Sequence, residues 1–412
     1  MIVFAMLLSR EEHINQIQEE ERLNSKELKA ERVKLFRDAE NFRKTDRIPY
    51  FANVVTWKVF DAGHTLDEAM TDFKVMEECV LHFLDKYPVD AIMDVGIRNQ
   101  FNVTEAFGEG SYYYYDKEVV GVHDHAHCTP ETLQQYLDDP IRYAWEVILP
   151  KKYGDSWEKK DKAVWKRTFS EYMAYIKFIL HMQKVMNRYG LPGLSPNNPM
   201  KGAVVPAVET LMSDLLGIQQ LSVAMRRNPD LIDAFVQRWE EERMEPIYKK
   251  IRDSKGPDYK YCFDSSILML AHNVMNKSQF ERFYWPYLKK LLDVYAEKKM
   301  NIRIFTEGSI LRLADYFKDY PKGLLTFHLE QDDPFEFRKA LPNVAIMGGM
   351  TTDLLSKGTP EECVAYAKRL CDELGSEGGF IFSENKMLSY RNDARSENML
   401  AVSEFVKNHR IA

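Results

Sequence analysis

Cysteine is scarce in this sequence. The five residues, Cys79, Cys128, Cys262, Cys363 and Cys371, form an odd and widely scattered set among 412 positions. Such a set argues against a disulfide framework and fits a reducing cytosol. A long uncharged apolar run is also lacking. The opening Met1–Ser9 stretch is too short for a spanning helix and has no basic region before it, so it does not read as a signal peptide. Nor is there a surplus of positive charge: 56 Lys and Arg face 63 Asp and Glu, a net charge of −7. That balance leaves no electrostatic footprint for a nucleic-acid backbone. No internal repeat or low-complexity segment is present. These absences predict a soluble, cytoplasmic protein that does not bind nucleic acid or membranes.

What is present suits one elaborated α/β domain. The chain is 45% hydrophobic and 12% aromatic, enough for a large core. Residues 9–45 are charge-dense and read as a helical arm with a thin apolar stripe of Leu28, Val33, Leu35 and Phe36. The arm, residues 1–45, is expected to pack on the main domain, 46–412, or on a second subunit, as in a homodimer. Short apolar runs follow at Ile48–Val55, Ala91–Val95, Ala203–Val208, Tyr261–Phe263, Ile302–Phe305, Leu324–His328, Val344–Met347 and Gly379–Phe382. Most are followed by an amphipathic stretch of helical length, the βα alternation of a parallel sheet. Eight such runs predict a closed (β/α)8 barrel. Between residues 105 and 208 the alternation breaks, and a strand at Glu118–His127 and a long helix at Ala163–Asn187 read as an insertion over the barrel mouth. Gly358-Thr359-Pro360-Glu361-Glu362 has the composition of a capping box and marks a helix start.

The second half resembles the uroporphyrinogen decarboxylase superfamily. The resemblance lies in Cys262-Phe263-Asp264 leading into Asn276–Lys289, in Leu341–Gly349 with the helix start at Gly358–Glu362, and in Gly378–Ser383. It implies a TIM barrel with its site at the C-terminal ends of the strands, and either of two chemistries: porphyrinogen decarboxylation, or methyl transfer to a corrinoid protein with zinc. The decarboxylases carry an arginine-rich loop after the first strand, suited to a substrate with many carboxylates. Here Phe51–Val59 has no arginine, and Ser383–Lys386 stands where those enzymes carry a Gly-His segment. The thiol and methylamine methyltransferases carry His-x-Cys-Gly, where this chain has Phe305-Thr306-Glu307-Gly308.

The pattern with Glu307 and His328 is similar to the corrinoid-dependent O-demethylases. Where those carry a further upstream Glu, this chain has Leu292, beside Asp293. The resemblance thus implies zinc held by Glu307, His328 and a third ligand, Glu384 or Glu330, acting as a Lewis acid on a methyl ether. The methyl acceptor would be a corrinoid carried by a partner protein. Asp264 would orient substrate or accept a proton, with a helix cap as the competing reading. Trp57, Arg98, Asn99 and Phe101 are candidate substrate contacts, and Phe107 and Tyr112–Tyr115 could stack on an aromatic ring. Glu307 could instead pair with Arg303 or Lys322, and His328 could be a hydrogen-bonded core histidine. His123, His125 and His127 alternate on one face of the strand at Glu118–His127, which permits a metal or a plain polar hairpin face. The alternative function is a lyase acting on a carboxylate smaller than a porphyrinogen.

Overall fold

The computed structural model describes residues 24–96, 101–107, 113–115, 120–122, 126–159, 161–196 and 204–411. The parallel strands are β1 (Phe51–Ala52), β2 (Ala91–Ile92), β5 (Ser265–Met269), β6 (Ile302–Thr306), β7 (Leu325–Leu329), β8 (Ala345–Met350) and β9 (Phe380–Glu384); β3 (Tyr113–Tyr115) and β4 (Val120–Val122) form an antiparallel hairpin in the insertion. Strands β5 to β9 pair in sequence order, and a parallel bridge from Tyr50 to Phe382 continues the sheet into β1 and then β2. At the other edge Gly193 and Leu194 accept from the amides of Cys262 and Phe263 at 3.1 and 2.7 Å. Eight parallel segments therefore follow one another in chain order, the order of a (β/α)8 barrel, with no recorded pairing between β2 and Gly193–Leu194 among the described residues.

The third segment is a correction. Within the expected strand Ala203–Val208, the described residues 204–208 form none: Pro206 precedes the helix Ala207–Thr210, and the paired third segment lies earlier, at Gly193–Leu194. The helix expected at Ala163–Asn187 spans Lys162–Arg188, and the capping box at Thr359 opens the helix Pro360–Gly375 as read from its composition.

Strand side chains alternate between two faces, and the core splits accordingly. The outward residues, among them Ile304, Phe327, Ile346 and Phe382, join one large cluster with the surrounding helices. A smaller cluster lies inside the ring and contains Phe51, Ala91, Phe263, Met347 and Ile381, with Met93 and Leu194 packed against it. Phe36 and Ala39 of the N-terminal helix, residues 24–40, belong to this inner cluster, so the arm plugs the barrel floor. Full burial of a Phe side chain contributes roughly 1.5–3 kcal/mol. The plug is fastened where the Gly379 amide donates to Ala39 O at 2.6 Å and where Arg37 meets Asp264.

No helix among the described residues is long and apolar enough to cross a membrane.

Candidate functional site

One inward-facing row crosses the sheet: Leu268, Phe305, His328, Met347 and Ile381 stand in register on β5 to β9. Four of them are buried, whereas Leu268 is 46% exposed, which shows that the interior opens on the β5 side of the mouth. Arg303 sits one inward position below Phe305, and its guanidinium lies 5.4 Å from the Phe51 ring and 5.6 Å from the Phe305 ring. It donates to His328 Nδ1 at 2.7 Å, to Ser266 Oγ at 3.0 Å and to Met347 Sδ at 3.3 Å. His328 in turn donates from Nε2 to Glu384 O at 3.0 Å. Burial first, and the Arg303 charge second, push the His328 pKa down to about 3, so the ring is neutral.

Glu307 is two residues above Phe305, at the exposed end of β6, on the face where barrel active sites lie. Its carboxyl is raised above the ordinary range, first by burial and then by the Glu330 charge beside it. The turn after it is tightly made. Asn273 donates to Glu307 O at 2.6 Å, Gly308 takes a φ of 72°, and a Cβ there would stand 2.3 Å from Asn273 Oδ1. Only glycine fits that turn. Glu330 accepts from the Gly308 amide, and Asp332 accepts from the amides of Ile310 and Leu311. The mouth on this side is thus acidic and held by backbone donors.

Behind it Glu209 is buried and accepts from Tyr284 Oη at 2.7 Å and from the amides of Leu270 and Ala271. Burial raises its carboxyl to about 7, against those hydrogen bonds. Across the mouth, Lys58 after β1 and Asp94 after β2 form a buried ion pair at 3.2 Å.

The structure separates several residues that the sequence reading grouped. Glu384 does not face the interior. Its carboxylate accepts from Tyr50 Oη and from the Asn53 amide on the outer side of β9, because the inward positions are Ile381 and Ser383. Both ring nitrogens of His328 are already engaged. Among the described residues no group of three His, Cys, Asp or Glu side chains could hold a metal ion. The zinc set Glu307, His328 and Glu384 therefore does not fit this geometry.

Asp264 is also a correction: it precedes β5 and lies at the floor, where it makes a two-pronged ion pair with Arg37 at 2.9 and 3.0 Å. Trp57 faces away from the interior, donating to Ala394 O and packing on Tyr87. Phe101 is buried in the outer core, and Phe107 packs against Tyr153, Trp157 and Trp165 in the insertion. His127 is buried, with its carbonyl accepting from Tyr143 and Lys151. Arg98, Asn99, His123, His125 and Tyr112 lie outside the described residues.

Arg303 and Leu268 are interior or mouth residues that the sequence does not assign to the site, whereas Glu330, a candidate ligand by sequence, lies at the mouth beside Glu307. Arg303 had a signal: it stands four residues before Glu307 on the same strand, hence on the same face.

With this geometry in hand, the comparisons decide the family. The model of the family described as Uroporphyrinogen decarboxylase (URO-D) matches residues 194–409, more than half of the chain. The chain belongs to the URO-D family. The match covers the segment from Leu194 through β9 and the helix Ser396–Asn408, which includes the Arg303–His328 pair and Glu307. No curated protein matches the sequence. Among solved structures the URO-D-family chain is similar to a methyltransferase from Methanosarcina mazei, with 13% identity and a TM-score of 0.53 over 90% of this chain and 96% of that one. At that identity the likeness bears on the fold, which is the TIM barrel of the family.

Proposed function

We propose that this URO-D-family chain is a methyltransferase that takes a methyl group from a small methoxylated compound, most simply an aromatic one, and passes it to the corrinoid of a partner protein. The observation that carries the reading is Glu307, a carboxyl at the mouth whose proton affinity is raised first by partial burial and then by the Glu330 charge, above the apolar Leu268 and Phe305. A ring lying on Leu268 and Phe305 would place its ether oxygen toward Glu307. A Co(I) corrinoid, when held by the partner, would supply the nucleophile for the methyl carbon. As the carbon–oxygen bond breaks, its electron pair stays on oxygen, and the Glu307 carboxyl provides the proton that makes the leaving group a neutral phenol. The first nine residues after the start of β1 hold no arginine, so a substrate with many carboxylates is not served there.

A second reading, a lyase releasing CO2 from a small carboxylate, is favoured by the description of the matching family and by the cationic Arg303 beneath the mouth. One experiment separates the two. The protein is incubated with methoxylated aromatic acids and chemically reduced cobalamin, and methylcobalamin absorbance and CO2 are followed together. Methylcobalamin formation that falls roughly 100-fold or more in Glu307→Gln supports the transferase. CO2 release without methyl transfer supports the lyase, and neither product sinks both.

A further inference from the structure

The helix Lys162–Arg188 carries an exposed apolar stripe, of which Trp165 also packs on Phe107 and Trp157. Trp165 is 40% exposed, Phe169 66%, Tyr172 40%, Met173 39% and Leu180 55%, at the four- and seven-residue spacings of one helix face. Tyr175, Phe178, Met182 and Val185 make the buried face, so the stripe is a second surface. Large contiguous apolar patches rimmed by charge mark interaction sites. Here the helix is basic along the stripe: Lys162, Lys166, Lys177, Lys184 and Arg188 stand on or beside it, and the helix carries a single acid, Glu171.

We propose that the stripe is covered by residues 1–23 of the same chain. These lie outside the described residues, and their sequence supplies both halves of the complement. Met1–Leu8 is apolar, Leu7, Ile14 and Ile17 recur at seven and three, and Glu11, Glu12, Glu19, Glu20 and Glu21 outnumber Arg10 and Arg22. Acidic residues meet a basic rim and apolar residues an apolar stripe. A second copy of the helix would bring cations against cations.

The point of attachment agrees. Lys29 donates to Asn187 Oδ1, and Arg32 to the carbonyls of Tyr189 and Gly190, so the described start of the arm is fixed at the C-terminal end of the striped helix. Leu180 to Trp165 spans about 22 Å along the helix, and residues 1–23 reach about 35 Å even when helical. The apolar Met1–Leu8 therefore reaches Phe169 and Trp165 without a gap. This inference is independent of the proposed chemistry.

The test uses the full chain. An equal mixture of light and heavy isotope-labelled protein is treated with a carbodiimide, which joins a carboxylate to an amine with loss of water, and the linked peptides are weighed. The expected result is links from Glu11–Glu21 to Lys166, Lys177 or Lys184 within one label only, and a several-fold rise in apolar-dye fluorescence in the Phe4→Glu, Leu7→Glu, Leu8→Glu variant. Links joining light to heavy chains would assign the stripe to a second copy and overturn the proposal. So would the absence of any such link, or dye binding that the variant leaves unchanged.

Discussion

Arg303 Nη2 stands 2.7 Å from His328 Nδ1 inside the barrel, and this contact fixes the histidine's tautomer. A guanidinium can only donate, so Nδ1 must accept, and the ring proton sits on Nε2, where it reaches Glu384 O at 3.0 Å. A second ring proton would have to face the guanidinium. The pKa is pushed down to about 3, against ~6.5 for an unfolded histidine. Below pH ~6.5 the unfolded chain takes up a proton that the folded chain refuses, so this group lowers stability progressively toward pH ~3 and is neutral to stability above pH ~6.5. His328 should therefore show the neutral Nε2–H tautomer by NMR at pH 5, and a His328→Gln variant should lose part of the acid slope of the unfolding midpoint. A ring that titrates near pH 6 would contradict the geometry.

Glu307 and Glu330 set up a second pH effect. The Glu330 charge helps to keep the Glu307 carboxyl protonated, and a proton donor works only below its pKa. In the wild type the turnover rate should fall as pH rises through the raised Glu307 value. Glu330→Gln removes the neighbouring charge, lowers the Glu307 pKa, and should move that falling limb to lower pH without abolishing the activity at its plateau. A limb that stays in place would separate Glu330 from the donor.

Much of this molecule was readable in the sequence, and the errors have specific physical sources. The late strands were found because Ile302–Phe305, Leu324–His328, Val344–Met347 and Gly379–Phe382 are compact apolar runs, and the helix Pro360–Gly375 announced itself by its cap. The third segment was missed because only Gly193 and Leu194 pair, too few residues to show a period of two. Ala203–Val208 looked like a strand because a buried helix start is equally apolar. In sequence, Glu384 points to the site because a carboxylate at a strand end suggests a ligand. Its side of the strand depends on register, and that is set by Ile381 and Ser383 facing inward.

Glu384 is a structural carboxyl on the outer side of β9. Its carboxyl is raised by burial and serves Tyr50 and the Asn53 amide, so glutamine keeps an acceptor at the same place. After dialysis against zinc and removal of the excess, wild type and Glu384→Gln should retain equal metal by elemental analysis, and the variant should lose no more than ~1 kcal/mol, the scale of one hydrogen bond. Loss of one zinc per chain in the variant would restore Glu384 as a ligand.

Asp264 and Arg37 test whether the barrel floor is structural. Both side chains are buried; the carboxylate takes two guanidinium bonds together with the amides of Asp258 and Asn301, and the pair ties the arm to the start of β5. Arg37→Met leaves the carboxylate buried without its counter-charge, which typically costs about 3–5 kcal/mol. Asp264→Asn takes away the nearer of the two carboxylates at the guanidinium, leaving Glu40 at 3.4 Å, and should cost less than Arg37→Met. The double variant should be less unstable than the sum of the two, because each single change already forfeits the same pair. Chemical denaturation of the four proteins measures this cycle. Were Asp264 a proton acceptor in catalysis, Asp264→Asn would lower turnover per folded molecule while Arg37→Met would not. The floor position predicts instead that both variants, assayed well below their melting temperatures, turn over as the wild type does.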